Sequence, residues 1–368
     1  MLISDCQGMF VIFLLGLWSV IGYAHTPGLS SLDATVGTSQ VELKITFALQ
    51  DIEAFIPMDS DFDADVSDAE RTQASPKISD LLSNQLILEE NGQRILPKQS
   101  ANISYDQQNN AQVVFTFPFN IINKLTIHAE YLTSFPVGHQ QFFTLKASDG
   151  KVISQKMLSQ QDRQFQIKLA TTAQETELNG SSGLAVFLGF FKLGVEHILT
   201  GYDHLLFLLA LLVVTRSFWA AIKIITLFTI AHSVTLALAG LDIVNLPSHI
   251  VEPLIALSIV YVGLENLIQR GEPKGRGLLT FSFGFVHGFG FASVLKEMGI
   301  STAKGGILVP LVSFNLGVEA GQIAVTALVL SVIIWVCRNP AIVSPVVKII
   351  SASVSVAGMY WLVERTVL

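Results

Sequence analysis

Four histidines lie inside long apolar stretches in the second half of the chain, where ionisable side chains are rare. Carboxylates accompany them, and the eight residues are His197, His204, His232, His287, Glu196, Asp203, Glu252 and Glu319. The chain has only two cysteines, Cys6 and Cys337, so it offers no thiolate cluster. Imidazole and carboxylate ligands without thiolates suit nickel, cobalt, zinc, iron or manganese better than copper(I). The pattern predicts a site for a divalent transition-metal ion.

The carboxylates in these apolar stretches need partners. A carboxylate at the centre of a bilayer costs about 3 kcal/mol even on a lenient insertion scale. Four would cost on the order of 10 kcal/mol, which is comparable with the stability of a typical domain. Hydrogen bonds between neighbouring helices are one way to satisfy such groups. A cation held by histidines and carboxylates together is another, and we expect it because so many of these groups occur in one set.

The predicted ion site has a core and a surrounding path. The expected metal ligands are His197, His204, His232, His287, Asp203 and Glu319. Further polar residues are expected to line the path or support the ligands, namely Glu196, His249, Glu252, Asn315, Gln322, Glu265 and Asn266. Ions are expected to collect near His249 and Glu252 before they reach the core. The chain has no GxxxxGK[ST] loop, so we do not expect ATP hydrolysis to drive this movement.

The composition places these residues in a membrane protein with two regions. Hydrophobic residues make up 51% of the chain and charged residues only 14%, which is typical of several membrane spans. We expect a signal peptide over 1–24, a domain over 25–170, a linker over 171–183 and a membrane domain over 184–368. Six spans of membrane-crossing length are predicted at 184–214, 217–240, 249–269, 277–298, 306–337 and 341–363. His197 and His204 are expected two turns apart on one face of the first span, where Gly201 could accommodate tilt or a break. A split of this stretch into two separate spans is not expected.

The first 24 residues have the pattern of a secretory signal. An apolar run over 9–22 precedes the small residue Ala24, after which cleavage is predicted. An uncleaved membrane anchor is the alternative. Cleavage would leave His25 at the N-terminus, where its imidazole and the free amine could chelate copper or nickel. The alternative there is an ordinary first residue without a role in binding.

The region over 25–170 alternates polar and apolar residues in short runs, which predicts an antiparallel β-sandwich outside the membrane. One acidic loop within it follows the spacing of an EF-hand calcium loop, with oxygen-bearing side chains at Asp59, Asp61, Asp63, Asp65, Ser67 and Glu70. Ala64 stands where that loop normally has glycine. Calcium binding and a solvated acidic turn therefore both remain open.

Basic residues predict the orientation of the spans. One side would carry Arg216, Lys223, Arg270, Lys274, Arg276 and Arg338, and the other only Lys296, Lys304 and Arg365. The first side is expected to be cytoplasmic, which places the β-rich domain in the periplasm of a bacterial inner membrane. The expected partners are the lipid bilayer and metal ions. The net charge of −7 makes nucleic acid an unexpected partner.

The membrane region resembles the HupE/UreJ family of bacterial membrane proteins. Five ordered motifs over 194–322 carry the likeness, and they read GVEHILTGYDHLLFLLAL, FTIAHSVTLALA, VEPLIALSIVYVGLENL, FGFVHGFGFA and FNLGVEAGQ. The leader and the outer domain resemble the longer branch of that family. The resemblance implies a secondary transporter or permease for nickel or cobalt. His197 and Asp203-His204 also resemble the His…Asp-His signature of nickel/cobalt transporters, although five residues separate the first His from the Asp here.

Two other functions fit the same residues. A zinc ion held by these histidines, with Ser233 nearby, could activate water in an intramembrane hydrolase. An outer domain that binds calcium or another metal could instead make the chain a membrane-anchored metal sensor. Transport is the leading interpretation, because polar groups continue towards both ends of the spans, whereas an enzyme needs a closed ligand set with one open position. We therefore expect the chain not to be an enzyme.

Overall fold

The structure is a computed structural model. It describes residues 28–61, 66–106, 110–118, 124–168, 183–215, 217–241, 243–244, 246–269, 275–291, 308–337 and 340–367. The predicted signal peptide, His25, the linker over 171–182 and two acidic residues of the calcium-like loop, Asp63 and Asp65, lie outside these residues. So do most of the basic residues on which the predicted orientation depends, so that orientation stays a prediction.

The described part of the N-terminal region forms two β-sheets. The strands are β1 Leu29–Val36, β2 Gln40–Ala48, β3 Leu86–Glu90, β4 Gln93–Ile95, β5 Asn102–Tyr105, β6 Asn110–Pro118, β7 Lys124–Ala129, β8 Gln140–Ala147, β9 Val152–Ser159 and β10 Gln164–Lys168. One sheet has the order β5-β6-β2-β1-β8-β9 and the other β10-β7-β3-β4. The two sheets share one apolar core that includes Phe47, Phe115, Phe143 and Phe165. The predicted β-rich, sandwich-like domain is confirmed.

One strand pair departs from the predicted antiparallel pattern. β1 and β8 pair in parallel, with Leu29 opposite Gln140 and Val36 opposite Ala147. The chain reaches β8 from the other sheet, by way of β7 and a 3-10 helix at Glu130–Ser134, and so enters β8 in the same direction as β1. Alternation of polar and apolar residues predicts where strands lie. It does not predict whether two strands joined by a long connection pair in parallel or antiparallel.

Two helices pack on this domain. α1 spans Leu49–Glu53 and α2 spans Asp68–Gln85. Ser67 and Glu70 form a reciprocal capping box at the start of α2, in which each side chain binds the other residue's backbone N–H. Ala74, Ile78 and Leu82 then follow at four-residue spacing and are buried, which fixes α2 on the domain core.

The C-terminal region is helical. Its helices are α3 Gly183–Thr200, α4 Tyr202–Leu212, α5 Phe218–Gly240, α6 Ser248–Ile268, α7 Arg276–Gly290, α8 Leu308–Val336 and α9 Pro340–Val367. Within the described residues, α3, α5, α6, α8 and α9 are long and apolar enough to cross a membrane. The predicted span over 277–298 is described only as far as Phe291.

The exposed faces of these helices are apolar. On α6 the exposed residues Ile250, Leu254, Leu257, Tyr261 and Leu264 recur every three or four positions and form one stripe. In water such a stripe would be unfavourable, whereas lipid tails solvate it. Together with the lengths of the helices, this makes the chain a multi-pass membrane protein.

The first predicted span, 184–214, has a break at Gly201, the position where the sequence allowed one, so His197 and His204 do not lie on one continuous helix. The chain leaves the helical conformation there, with φ −77° and ψ 92°, so that α3 ends at Thr200 and α4 begins at Tyr202. A Cβ atom at this position would lie 2.7 Å from the carbonyl oxygen of His197 and 3.0 Å from Nδ1 of His204. Glycine therefore allows the sharp join between the two helices, which brings the ends of both helices beside the histidines.

The helices pack closely through small residues. α3 meets α8 where Gly194 faces the backbone of Phe314 and Gly317 faces the backbone of Phe191. Gly284 brings α7 against the carbonyl of Phe228 in α5 in the same way. Such contacts are typical of membrane helices, because small side chains let two backbones approach and gain dispersion energy.

The β-rich domain also contacts the membrane region. Phe142 of β8 meets Phe190 of α3 edge to face, with ring centroids 5.0 Å apart. The amide nitrogen Nε2 of Gln140 lies 3.2 Å from Oε2 of Glu196 in the same helix. Phe142 and Phe190 are buried in an apolar cluster that also contains Leu193. The domain is thus packed on α3 through the neighbouring ends of β1 and β8.

Candidate metal site

The four predicted histidine ligands come together from four different helices. His197 lies in the last turn of α3, His204 near the start of α4, His232 in α5 and His287 in α7. Ring centroids are 4.7 Å apart for His197 and His204, and 5.0 Å for His204 and His287. The centroid of His232 lies 6.0 Å from that of His204 and 6.2 Å from that of His197. The histidine cluster defined by these four residues is buried, except that His197 is half-buried.

Most ring nitrogens of the histidine cluster have no hydrogen-bond partner among the described residues. This holds for both nitrogens of His204 and of His232, for Nε2 of His197 and for Nδ1 of His287. Buried polar atoms are normally satisfied, because an unsatisfied one costs about 1–3 kcal/mol. Several such atoms at one place fit a ligand that supplies the missing partner, and a cation is what neutral imidazole nitrogens bind.

The spacing of the rings suits a shared ion. Two imidazoles that bind one ion through nitrogens about 2.1 Å from it have ring centroids roughly 4.5–6.4 Å apart, depending on the angle at the ion. The four measured separations, from 4.7 to 6.2 Å, fall inside this range. The nitrogens do not yet point at one centre. Within the described residues, three ligand atoms lie within 4.8 Å of one another only at Asp59, Asp61 and Glu70. Ring rotations would therefore accompany binding.

Ser258 of α6 fixes the orientation of one ring. Its Oγ donates to the carbonyl oxygen of Ile255 at 2.6 Å and lies 3.0 Å from Nε2 of His287. A hydroxyl has a single proton, so Oγ accepts at the second contact and Nε2 of His287 is the donor. The lone pair of His287 then resides on Nδ1, the nitrogen without a partner. Such a bond holds a metal-binding histidine in the tautomer that it needs.

Phenylalanines close the histidine cluster on two sides. Phe207 lies about one turn after His204 in α4, and Phe228 lies about one turn before His232 in α5. Their ring centroids are 5.0 and 5.3 Å from that of His287. On the opposite side Phe291 and Phe314 stack on each other at 4.5 Å, and Phe291 lies 4.5 Å from His197. The histidines are thereby enclosed between two aromatic layers.

Asp203 lies in an ion pair at the end of the bundle where α6 begins and α9 ends. Oδ2 of Asp203 is 3.1 Å from a terminal nitrogen of Arg365, and Nε of Arg365 is 3.9 Å from Oε2 of Glu252. The predicted ligand Asp203 and the predicted path residue Glu252 are thus joined through a cation of the protein itself. We call this side the Arg365 end. His249 is exposed at the same end, in the first turn of α6.

Glu265 and Asn266 lie at the opposite side, which we call the Arg276 end. Arg276 donates to Oε2 of Glu265 at 2.7 Å, to Oδ1 of Asn266 at 3.0 Å and to the carbonyl oxygen of Ala210 at 3.0 Å. Asn266 donates to the same carbonyl at 2.7 Å. This tightly bonded group ties α4, α6 and α7 together. These bonds give the two residues a structural role, and their predicted role in lining the path stays a prediction.

The predicted ligand Glu319 and the predicted path residues Gln322, Asn315 and Glu196 each have a partner other than the four histidines. Oε1 of Glu319 accepts from Thr226 at 2.8 Å, and Oε1 of Gln322 accepts from Thr229 at 3.1 Å, which joins α8 to α5. Asn315 is buried in α8 and donates to the carbonyl of Leu311. Oε2 of Glu196 accepts a hydrogen bond from Gln140, and Oε1 of Glu196 lies 3.4 Å from Nζ of Lys192. These contacts connect the four residues to neighbours outside the histidine cluster, and the predicted ligand role of Glu319 stays a prediction.

The acidic loop of the outer domain is only partly described. Asp59, Asp61 and Glu70 have carboxylate oxygens within 4.8 Å of one another, as an EF-hand-like loop requires. Both oxygens of Glu70 are already bonded, one by the backbone and hydroxyl of Ser60 and the other by those of Ser67. These bonds hold the pKa of Glu70 at about 2. Calcium binding stays a prediction.

Three residues of the site were not predicted from the sequence. Ser258 looked like one more small residue in an apolar helix, and Arg276 and Arg365 looked like markers of the membrane surface. The available signal was charge balance, because Asp203, Glu252 and Glu265 in apolar segments require nearby cations. Ser233, the hydroxyl considered for a hydrolase, donates to the carbonyl of Thr229 in its own helix at 2.6 Å.

Comparison with known proteins assigns the membrane region to a protein family. The family model described as HupE / UreJ protein matches residues 172–365, which is more than half of the chain. The matched range contains the whole histidine cluster and both of its arginine-bearing ends. A comparison with curated proteins finds no match. The chain therefore belongs to the HupE/UreJ family, as its five motifs predicted.

Proposed function

We propose that this protein is a secondary transporter or permease for a divalent transition-metal ion, with nickel or cobalt as its substrate. The observation that carries the proposal is the buried histidine cluster, whose ring nitrogens have no partner among the described residues and whose ring spacing suits one shared ion. Nitrogen ligands without thiolate fit nickel and cobalt. The HupE/UreJ family is associated with transport of these two metals, which supports the same choice.

In this proposal the ion enters at the Arg365 end, where Asp203, Glu252 and His249 offer oxygen and nitrogen ligands. It then rests in the histidine cluster between the two phenylalanine layers. A small internal space of about 10 Å³ lies beside His204 and is also lined by Gln322 and Thr280. That volume is about enough for one water molecule, and the other residues that line it are apolar. The outer domain lies in the periplasm in this proposal, and the membrane is the bacterial inner membrane.

Uptake by cells tests this proposal directly. The full chain would be expressed in a bacterial strain without its own nickel and cobalt importers, and cell-associated nickel, cobalt, zinc, iron and manganese would be measured. We expect nickel or cobalt to accumulate, and we expect His204→Ala and His232→Ala to abolish that accumulation. His128→Ala is the matched control, because His128 lies in β7 of the outer domain beside Glu89, away from the cluster. Amounts of protein in the membrane must be equal in all strains.

The result also decides between the alternatives. Loss of uptake in Glu319→Gln would make Glu319 a ligand in addition to its bond with Thr226. If wild-type cells accumulate none of the five metals, transport is rejected. A tightly bound zinc in the purified protein that His204→Ala removes would then favour the intramembrane hydrolase.

A further inference from the structure

The Arg365 side chain lies between two carboxylates, one of which belongs to the residue that precedes His204. A terminal nitrogen of its guanidinium is 3.1 Å from Oδ2 of Asp203, and Nε is 3.9 Å from Oε2 of Glu252. The other terminal nitrogen is 3.4 Å from the backbone oxygen of Glu252. The guanidinium also lies over the ring of Trp361, 5.6 Å from its centroid. Arg365 thus supplies a permanent positive charge between two carboxylates, because arginine does not lose its proton in proteins.

Asp203 connects this charge to the candidate metal site. It precedes His204 in the chain and lies in the first turn of α4. Both ring nitrogens of His204 have no partner among the described residues. A divalent ion held by His204 that uses a carboxylate as its oxygen ligand would find Asp203 next to it, already paired with Arg365. The ion and the guanidinium then compete for the same oxygen atoms, and they also repel each other.

The two arginines of the membrane region that the structure describes, Arg276 and Arg365, are held in different ways. Arg276 is 4% exposed and donates to three acceptors at 2.7–3.0 Å, so it is fixed in place. The Arg365 side chain is 22% exposed, has one short contact and lies in the last turn of α9. A side chain on the final turn of a helix can turn away without disturbing the packing of the bundle. The contrast assigns a structural role to Arg276, whereas the Arg365 side chain is able to move.

We propose that Arg365 is a tethered cation that neutralises Asp203 when the site holds no ion and that an arriving divalent ion displaces. This inference rests on the proposed transport function. It makes Arg365 a residue that sets affinity, since its return to Asp203 favours release of the ion. A site with nitrogen and carboxylate ligands alone would bind nickel or cobalt tightly and release it slowly, whereas a competing internal cation keeps binding reversible.

Metal binding to the purified full chain tests the inference. Isothermal titration with nickel, cobalt and zinc chlorides would compare wild type with Arg365→Gln in lipid nanodiscs. We expect Arg365→Gln to bind the preferred metal at least about fivefold more tightly, the low end of typical coupling between two sites. Lys192→Gln is the matched control, since it removes one positive charge beside Glu196 without touching Asp203. Its affinity should equal that of wild type.

A double-mutant cycle separates competition from a general charge effect. Asp203→Asn should weaken binding, and Arg365→Gln in that background should give no further gain, because the shared carboxylate is gone. Arg365→Lys keeps the charge and should bind as wild type does, which gives a readout if Arg365→Gln does not fold. Unchanged or weaker binding in Arg365→Gln would overturn the inference, as would an equal gain with Asn at position 203. If wild type binds none of the metals, the proposed function itself fails.

Discussion

Ser258 has one hydroxyl proton, and that proton goes to the carbonyl oxygen of Ile255. The bond with His287 therefore has a fixed direction, with Nε2 as donor and Nδ1 left to bind an ion. At the scale of single residues, the proposed ion site would thus depend on a side chain that does not touch the ion. In our proposal the same holds for Arg365, which would act through Asp203. The supporting residues would then affect metal binding as well as the four rings.

Replacing Ser258 tests this dependence. Ser258→Ala leaves His287 free to change tautomer and rotate, so we expect metal affinity to fall by about 10-fold to 100-fold. Ser258→Thr keeps a hydroxyl and should retain most of the affinity. Titration calorimetry gives the affinities, and ¹⁵N chemical shifts of His287 report which nitrogen carries the proton. Equal tautomer ratios in wild type and Ser258→Ala would contradict the role of Ser258.

A second residue-scale feature is a buried pair in the outer domain. Nδ1 of His139 lies 3.8 Å from Oδ2 of Asp51, Nε2 of His139 meets Oγ of Ser30 at 2.8 Å, and the ring of Phe135 stacks at 4.1 Å. Burial raises the pKa of Asp51 from 3.8 to about 7 and lowers the pKa of His139 from 6.5 to about 3. Both side chains are therefore neutral at pH 5 in the folded domain, and the two pKa shifts have opposite effects on stability.

The pH dependence of unfolding separates the two groups. In Asp51→Asn only His139 remains, which takes up a proton mainly when the chain unfolds, so stability should fall as pH drops below about 6.5. In His139→Gln only Asp51 remains, which ionises mainly when the chain unfolds, so stability should fall as pH rises from about 4 to about 7. The stability of wild type should change little between about pH 4 and about pH 6.5, because the effects of Asp51 and His139 on stability cancel there. Thermal unfolding of the sheets, followed by circular dichroism, gives the three profiles, and parallel profiles would refute the assignment.

At the scale of elements, the break between α3 and α4 does most to build the site. A continuous helix would carry His197 and His204 two turns apart along one face, whereas the join at Gly201 brings their rings to 4.7 Å. The join also places the carbonyl end of α3 and the amide end of α4 beside the histidines. Broken helices of this kind are the usual way in which membrane transporters place polar backbone groups at an ion site.

Gly201→Ala should damage this arrangement. The added methyl group would lie 2.7 Å from the carbonyl oxygen of His197 and 3.0 Å from Nδ1 of His204, so the ring of His204 must move. We expect a loss of roughly 1–3 kcal/mol in stability and a clear fall in metal uptake. Gly183→Ala is the control, because no atom of the described residues lies within 4 Å of a Cβ at Gly183. Thermal melting and the uptake assay measure the two effects, and a Gly201→Ala protein that behaves like Gly183→Ala would refute the role of the break.

At the scale of the whole molecule, the sequence predicted the positions of the strands, helices and histidines better than the contacts between distant residues. The strands, the membrane helices and the four histidines could be predicted, because hydrophobic periodicity and rare polar residues in apolar runs are local signals. Three features depend on contacts between distant residues, and local patterns do not encode them. Arg365 pairs with Asp203 across 162 residues, β8 runs parallel to β1, and Gln140 reaches Glu196 from another domain. The break at Gly201 could be foreseen only as a weak point.

The contact between Gln140 and Glu196 has a thermodynamic consequence for the molecule. Glu196 precedes His197, so the outer domain holds the residue next to the histidine cluster. If an ion at His197 shifts α3, it changes the equilibrium constant for docking of the domain on α3. By linkage, docking of the domain then changes the affinity for the ion by the same factor. A ligand that pulled the domain away from α3 would then alter metal affinity from outside the bilayer. If the cluster binds an ion in this way, occupancy of the site and docking of the domain would form one linked equilibrium, measurable from either event.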